Sequence, residues 1–125
     1  MGATTRLQGV KEYLYREMPL RQRDHWGSHL WAYLHTITLI DYDDSETNQR
    51  MSEPILPVLK QLTTPCHKCN AHYKAYVEET LHKVNLSTSM ALFKWGWELH
   101  NQINRKHQKE EISYDTAVAL WAKEI

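Results

Sequence analysis

The chain has 125 residues and balances 15 basic against 15 acidic side chains. It therefore suits one domain and lacks the net positive charge that a nucleic-acid or anionic-membrane partner would want. A chain of this length buries about two thirds of its unfolded surface and can hold a core without disulfide staples. No apolar run approaches the roughly 18 residues of a membrane span, and the N-terminus lacks a signal-peptide core. Five tryptophans, seven tyrosines and eight histidines accompany a single phenylalanine. Flat rings with polar edges suit a bound planar cofactor, and equally an ordinary amphipathic core.

Glycine and proline are scarce, β-branched alternation is absent, and apolar residues recur every three or four positions, so the chain reads as all-helical. The first expected helix, about Thr5 to Met18, is weakly amphipathic through Leu7, Val10, Leu14 and Met18, and Pro19 ends it. A basic link, "LRQRD", leads to a strong helix over about His25 to Ile40, with the stripe Trp26, Leu30, Trp31, Leu34, Ile37 and Thr38. "DYDDSETN" is a polar loop or helix start. The next helix, with Met51, Ile55, Val58 and Leu59, ends near Leu62. Pro54 and Pro57 should kink it or delay its start, since each lacks an N–H. Thr64 is placed to cap a helix with Pro65 at its first position, running to about Lys83. Ser87 or Thr88 opens another, to about Lys106. Ser113 opens a short last one, about Tyr114 to Lys123. Four main helices joined by short loops make a bundle.

"PCHKCNAH" holds the only two cysteines. Cys66 and Cys69 on the first two turns of a capped helix would share a face, where the helix N-terminus lowers a thiol pKa. A two-residue spacer lets such a pair close a disulfide that can reopen by exchange. Zinc is the sharp rival: Cys66, Cys69 and His72 with one of His35, His82 or His100 would supply four ligands. Two inert buried thiols are the bland alternative. Covalent haem attachment would need histidine directly after the second cysteine, where Asn70 stands, and a thioredoxin-like site would need a βαβ context that an all-helical chain does not offer.

Two other clusters combine rings and polar groups. Trp31 and His35 are four apart on one helix face. In "WGWELHNQIN", His100, Asn101 and Asn104 border Trp95, Leu99 and Ile103. Asparagine is a poor helix-interior residue, so two of them in mid-helix need polar partners, which could be each other, the backbone or a ligand rich in donors and acceptors. The ligand explains them better. Lys106 and Lys109 could reach a phosphate.

Taken together, "WGSHLWAYLHT", "PCHKCNAH", "WGWELHNQIN" and an aromatic near the end resemble the Erv/ALR family of FAD-linked sulfhydryl oxidases, over about Arg23 to Trp121. The CxxC alone is weak, whereas four blocks in the family's order and spacing are specific. The resemblance implies a four-helix bundle with a short fifth helix, FAD held non-covalently in the bundle mouth, and a homodimer. It implies that Trp26, Gly27, Trp31 and His35 line the flavin site, with Arg23 near the phosphates. His72 and Tyr73 match the pair that follows the disulfide. Trp95, His100, Asn101 and Asn104 match the adenine and ribose side, Lys106 and Lys109 the basic stretch, and Trp121, with Tyr114 as a weaker candidate, the closing aromatic.

It further implies an enzyme that oxidises substrate dithiols at Cys66–Cys69 and passes the electrons to O2 as H2O2, with Cys66 the interchange residue and Cys69 the flavin-proximal one. Residues 1–22 would be an N-terminal helical extension and 23–125 the oxidase domain. Many family members carry a second CxxC as a shuttle. This chain has no further cysteine, so substrates reach Cys66 directly or the shuttle lies outside these residues. Minimal forms resemble those of large DNA viruses, which would suggest host cytoplasm or virion. The contrasting expectation is a zinc-stabilised helical binding module with no catalysis.

Overall fold

A computed structural model of the chain describes residues 23–122, with side chains from Trp26 onward. The expected helix over Thr5–Met18, the extension of residues 1–22 and the Arg23 side chain lie outside the described residues. Within them there is no strand. The elements are α1 (Arg23–Ile37), α2 (Ser45–Ser52), α3 (Ile55–Gln61), α4 (His67–Thr80) with a 3-10 turn (Leu81–Lys83), α5 (Ala91–Lys106) and α6 (Tyr114–Trp121). Helices α2 and α3 form one broken bundle arm, so the all-helical expectation holds. No helix among the described residues is long and apolar enough to cross a membrane.

Several boundaries differ from expectation for physical reasons. α1 stops at Ile37 rather than Ile40: the Thr38 hydroxyl donates to Leu34 O at 2.8 Å, and Ile40 O instead accepts from Met90 N across the fold. The prolines divide the second arm. Pro54 precedes α3, and Pro57 sits in its first turn, where a missing N–H leaves no bond unmade. α4 begins at His67, so Thr64 and Pro65 are not its cap and first residue. Cys66 is the N-cap, and its sulfur accepts from Cys69 N at 3.2 Å. α5 begins at Ala91, not Thr88, after Met90 in a left-handed conformation (φ 63°). Asn85 spends Ser87 on a local turn instead, accepting from both its N–H and its hydroxyl. Ser113 does cap α6, accepting from Thr116 N at 3.1 Å.

Trp31 meets His100 and Leu34 meets Gly96, so α1 and α5 run antiparallel in close contact. A Cβ on Gly96 would lie 2.6 Å from Leu34 Cδ2, so only glycine permits this approach. The core gathers Leu34, Leu59, Val77, Leu81, Leu92, Trp95 and Leu99 from α1, α3, α4, the 3-10 turn and α5.

Three half-buried or buried asparagines staple the connections to this core. Asn48 accepts from Tyr42 N and donates to Tyr42 O, both at 2.8 Å. Asn70 does the same with Thr64 at 2.7 and 3.0 Å, and Asn101 with Ile112 at 2.8 and 2.7 Å. Each amide satisfies a backbone donor and acceptor that a loop would otherwise leave unmade.

Candidate active site

Cys66 and Cys69 are joined in a disulfide across the start of α4, with their Cα atoms 5.2 Å apart. The Thr64–Asn70 staple, together with Cys66 N donating to Thr64 Oγ1 at 3.0 Å, holds the turn that brings the two sulfurs together. With both sulfurs bonded to each other, the zinc reading loses its thiolates. No group of three potential metal-ligating side chains occurs among the described residues.

Beside the disulfide lies an open-sided cavity of about 290 Å³, at the lower end of the usual range for small-molecule sites. Trp26, Gly27, Leu30, Trp31 and Leu34 form the α1 wall, and Leu99, Ile103, Lys106 and His107 the α5 wall. Leu62, Thr64, Lys68, Cys69, His72 and Tyr73 complete it. Cys69 faces the cavity and Cys66 does not. Two features mark the cavity as shaped for an occupant. Gly27 is buried, yet nothing lies within 4 Å of where its Cβ would stand. His72 Nε2 is buried with no hydrogen-bond partner. Tyr73 is anchored differently: its hydroxyl donates to Leu59 O at 2.6 Å, and burial, helped by nearby Tyr76, raises its pKa.

Behind Trp31 is a stack of rings. Trp31 lies 3.9 Å from His100 and within 6° of parallel, and His35 stacks on Trp121 at 4.9 Å. His35 Nε2 and His100 Nδ1 share a hydrogen bond of 2.9 Å. Burial and the neighbouring His100 lower His35 to about 4. Burial and the charge of Lys109 lower His100 to about 4. Both imidazoles are therefore neutral near pH 7, and one donates to the other. His35 Nδ1 is buried without a partner.

Of the residues singled out from the sequence, Trp26, Gly27, Trp31, Cys69, His72, Tyr73 and Lys106 are brought together on the cavity wall. His35, His100 and Trp121 form the layer behind, with Lys109 acting on His100. Asn101 spends its amide on Ile112, so the backbone is its partner. Asn104 is also buried, and its backbone carbonyl accepts from Lys109 N at 2.7 Å. Trp95 sits in the core with its indole N–H donating to Thr80 Oγ1 at 2.8 Å. Tyr114 packs edge-on against Trp97 and Phe93, away from the cavity.

Leu30, Leu62, Thr64, Lys68, Ile103 and His107 line the cavity without having been singled out for it. Their signal was helical periodicity: Leu99, Ile103, Lys106 and His107 follow one face of α5, and Lys68 and His72 are four apart on α4.

The Erv1/Alr family model matches residues 28–123. The FAD-linked sulfhydryl oxidase of African swine fever virus is 26% identical over 102 residues, covering 81% of this chain and 83% of that protein. The FAD-linked sulfhydryl oxidase ERV2 of Saccharomyces cerevisiae is 29% identical over 94 residues, covering 75% of this chain and 46% of that protein.

Proposed function

We propose, from the premise that this chain belongs to the Erv1/Alr family, that it is an FAD-dependent thiol oxidase whose Cys66–Cys69 disulfide takes electrons from substrate dithiols. The observation that carries this reading is that Cys69, one half of the disulfide, forms part of the wall of the apolar cavity.

The residues present fit a flavin. Trp26 and Trp31 offer flat apolar faces, Gly27 leaves room against the backbone, and the unpartnered His72 Nε2 awaits a polar atom. Lys106 supplies a cation for a phosphate. The His35–His100–Trp121 layer would fix the plane of Trp31, and Asn104 would serve the nucleotide side. Lys109, Trp95, Asn101 and Tyr114 would act around this shell as supports rather than as direct partners, and Arg23 would lie near the phosphates. When bound, FAD would supply the two-electron chemistry that links the dithiol to O2 and releases H2O2.

The chain's own steps are those of thiol–disulfide exchange. A substrate thiolate attacks Cys66 Sγ, forming a mixed disulfide as the Cys66–Cys69 bond breaks and Cys69 leaves as a thiolate on the cavity wall. The second substrate thiolate attacks the substrate sulfur of that mixed disulfide and releases Cys66. The substrate has then lost two electrons and become a disulfide, and the Cys66–Cys69 pair has gained them. The position of Cys66 at the N-cap of α4 assists here, because the Cys69 amide and the positive end of the helix stabilise a thiolate there. Residues 23–125 are the oxidase domain of this reading, working as a homodimer.

The test is spectroscopic. The purified protein should be yellow, carry about one flavin per chain as one preformed pocket implies, and consume O2 with a small dithiol. A colourless protein that binds no added FAD would overturn the reading.

A further inference from the structure

The charges around the disulfide are not those of the chain as a whole. The chain is neutral, yet from Pro54 to Val77 it holds Lys60, Lys68, Lys74, His67 and His72 and no carboxylate. His67 and Lys68 are exposed in the first turn of α4, between the two cysteines. Lys74 is exposed seven residues after His67, hence on the same helix face. Lys60 is exposed in the last turn of α3, next to Leu59, whose carbonyl accepts from Tyr73.

None of Lys60, Lys68 and Lys74 has an ion-pair partner among the described residues. The next carboxylate along α4 is Glu78, nine residues beyond Cys69. At the helical rise that is about 14 Å along the axis, more than the roughly 8 Å Debye length at physiological salt. Glu78 stands one turn beyond Lys74 and can meet it, but its charge does little to offset Lys68 beside the disulfide. The positive end of α4 adds to the same local sign.

Resting on the oxidase reading above, we propose that the substrate is a protein or peptide dithiol set among carboxylates, drawn to Cys66 by the cationic rim of Lys60, Lys68 and Lys74. An acidic segment would complement the rim and be steered to it. The rim would also favour the thiolate over the thiol at the point of attack. The exchange chemistry is unchanged: the substrate loses two electrons and gains a disulfide, and the Cys66–Cys69 pair is reduced.

The experiment compares reduced two-cysteine peptides of equal length with acidic, neutral or basic flanks, using flavin-loaded protein. The acidic peptide should give the highest kcat/KM and the basic one the lowest. The difference should shrink between about 20 and about 500 mM salt as the Debye length falls. The double variant Lys60→Glu/Lys74→Glu changes residues off the cavity wall. It should lower kcat/KM for the acidic peptide by roughly tenfold, a typical steering effect, and leave the flavin content unchanged. An acidic peptide with serine in place of both cysteines should bind the protein in a salt-dependent way, and bind the double variant more weakly.

Equal kcat/KM for acidic and basic peptides at low salt would overturn the proposal while leaving the oxidase reading standing, provided a small dithiol still turns over. Tighter binding of a single-stranded oligonucleotide than of the serine peptide at the same salt would overturn it in favour of a nucleic-acid partner. Flavin-loaded protein that oxidises no dithiol at all would remove the oxidase reading, and this proposal with it.

Discussion

The two ends of the α1–α5 pair are built from similar residues and do opposite things. At one end Gly27 is buried with nothing within 4 Å of its Cβ position, and Trp26, Trp31, Ile103 and Lys106 enclose space. At the other, Gly96 exists because Leu34 leaves no room for a methyl group, and Leu34, His35 and Thr38 are packed solid against α5. Packing that stops short of closing marks where a ligand belongs; complete packing marks scaffold.

The largest expected effect tests the cavity end directly. Cys66→Ser and Cys69→Ser should each abolish dithiol oxidation, since neither retains a disulfide. They should differ in spectrum. In Cys66→Ser the remaining Cys69 thiolate faces the cavity and should give flavin-loaded protein an absorption beyond the main flavin bands, bleaching as the pH falls below the thiol pKa. In Cys69→Ser that band should be missing and Cys66 should alkylate quickly. The band in Cys69→Ser alone would reverse the two roles.

The packed end should answer to pH. His35 and His100 have folded pKa values of about 4 against an ordinary 6.5, so the folded state resists protonation more than the unfolded chain does. Stability is complete above about pH 6.5 and is lost as the pH falls toward 4. A loss on the order of 3 kcal/mol per imidazole follows from about 1.4 kcal/mol per pKa unit. Thermal melts across that window should show it, and His100→Phe should flatten the dependence. A melting temperature independent of pH between 6.5 and 4 in the unmodified protein would show that the pair is not held neutral.

Smaller effects separate the two glycines. Gly96→Ala should cost about 1–3 kcal/mol through overpacking against Leu34, read as a lowered melting temperature. Gly27→Ala should stay within about 0.5 kcal/mol, while Gly27→Leu should lower flavin content at unchanged fold. A Gly27→Ala variant as destabilised as Gly96→Ala would erase the distinction between the two ends.

Much of this was legible in the chain. Apolar periodicity carried the helical class, and four ordered motifs carried the family, because both are local or strictly ordered in sequence. The α6 cap at Ser113 was legible for the same reason. The caps of α4 and α5 were not. Thr64 looked like an N-cap, yet its amide and carbonyl are taken by Asn70, and Cys66 caps instead. Ser87 looked like another, yet Asn85 engages it first. Competition between two good local partners is decided by which geometry the rest of the fold permits.

By itself, then, the sequence determined helix content, the two-residue spacing of the only two cysteines, and a local run without carboxylates around them. Each depends only on residue identity and spacing. The tertiary structure alone decided which polar residues are spent and which remain available. Asn101 and Asn104 are the same residue type on the same helix, and no local pattern distinguishes them. Only the path of the loop to Ile112 commits the Asn101 amide, and only the approach of Leu34 to Gly96 closes one end of the bundle while the other stays open beside Cys69.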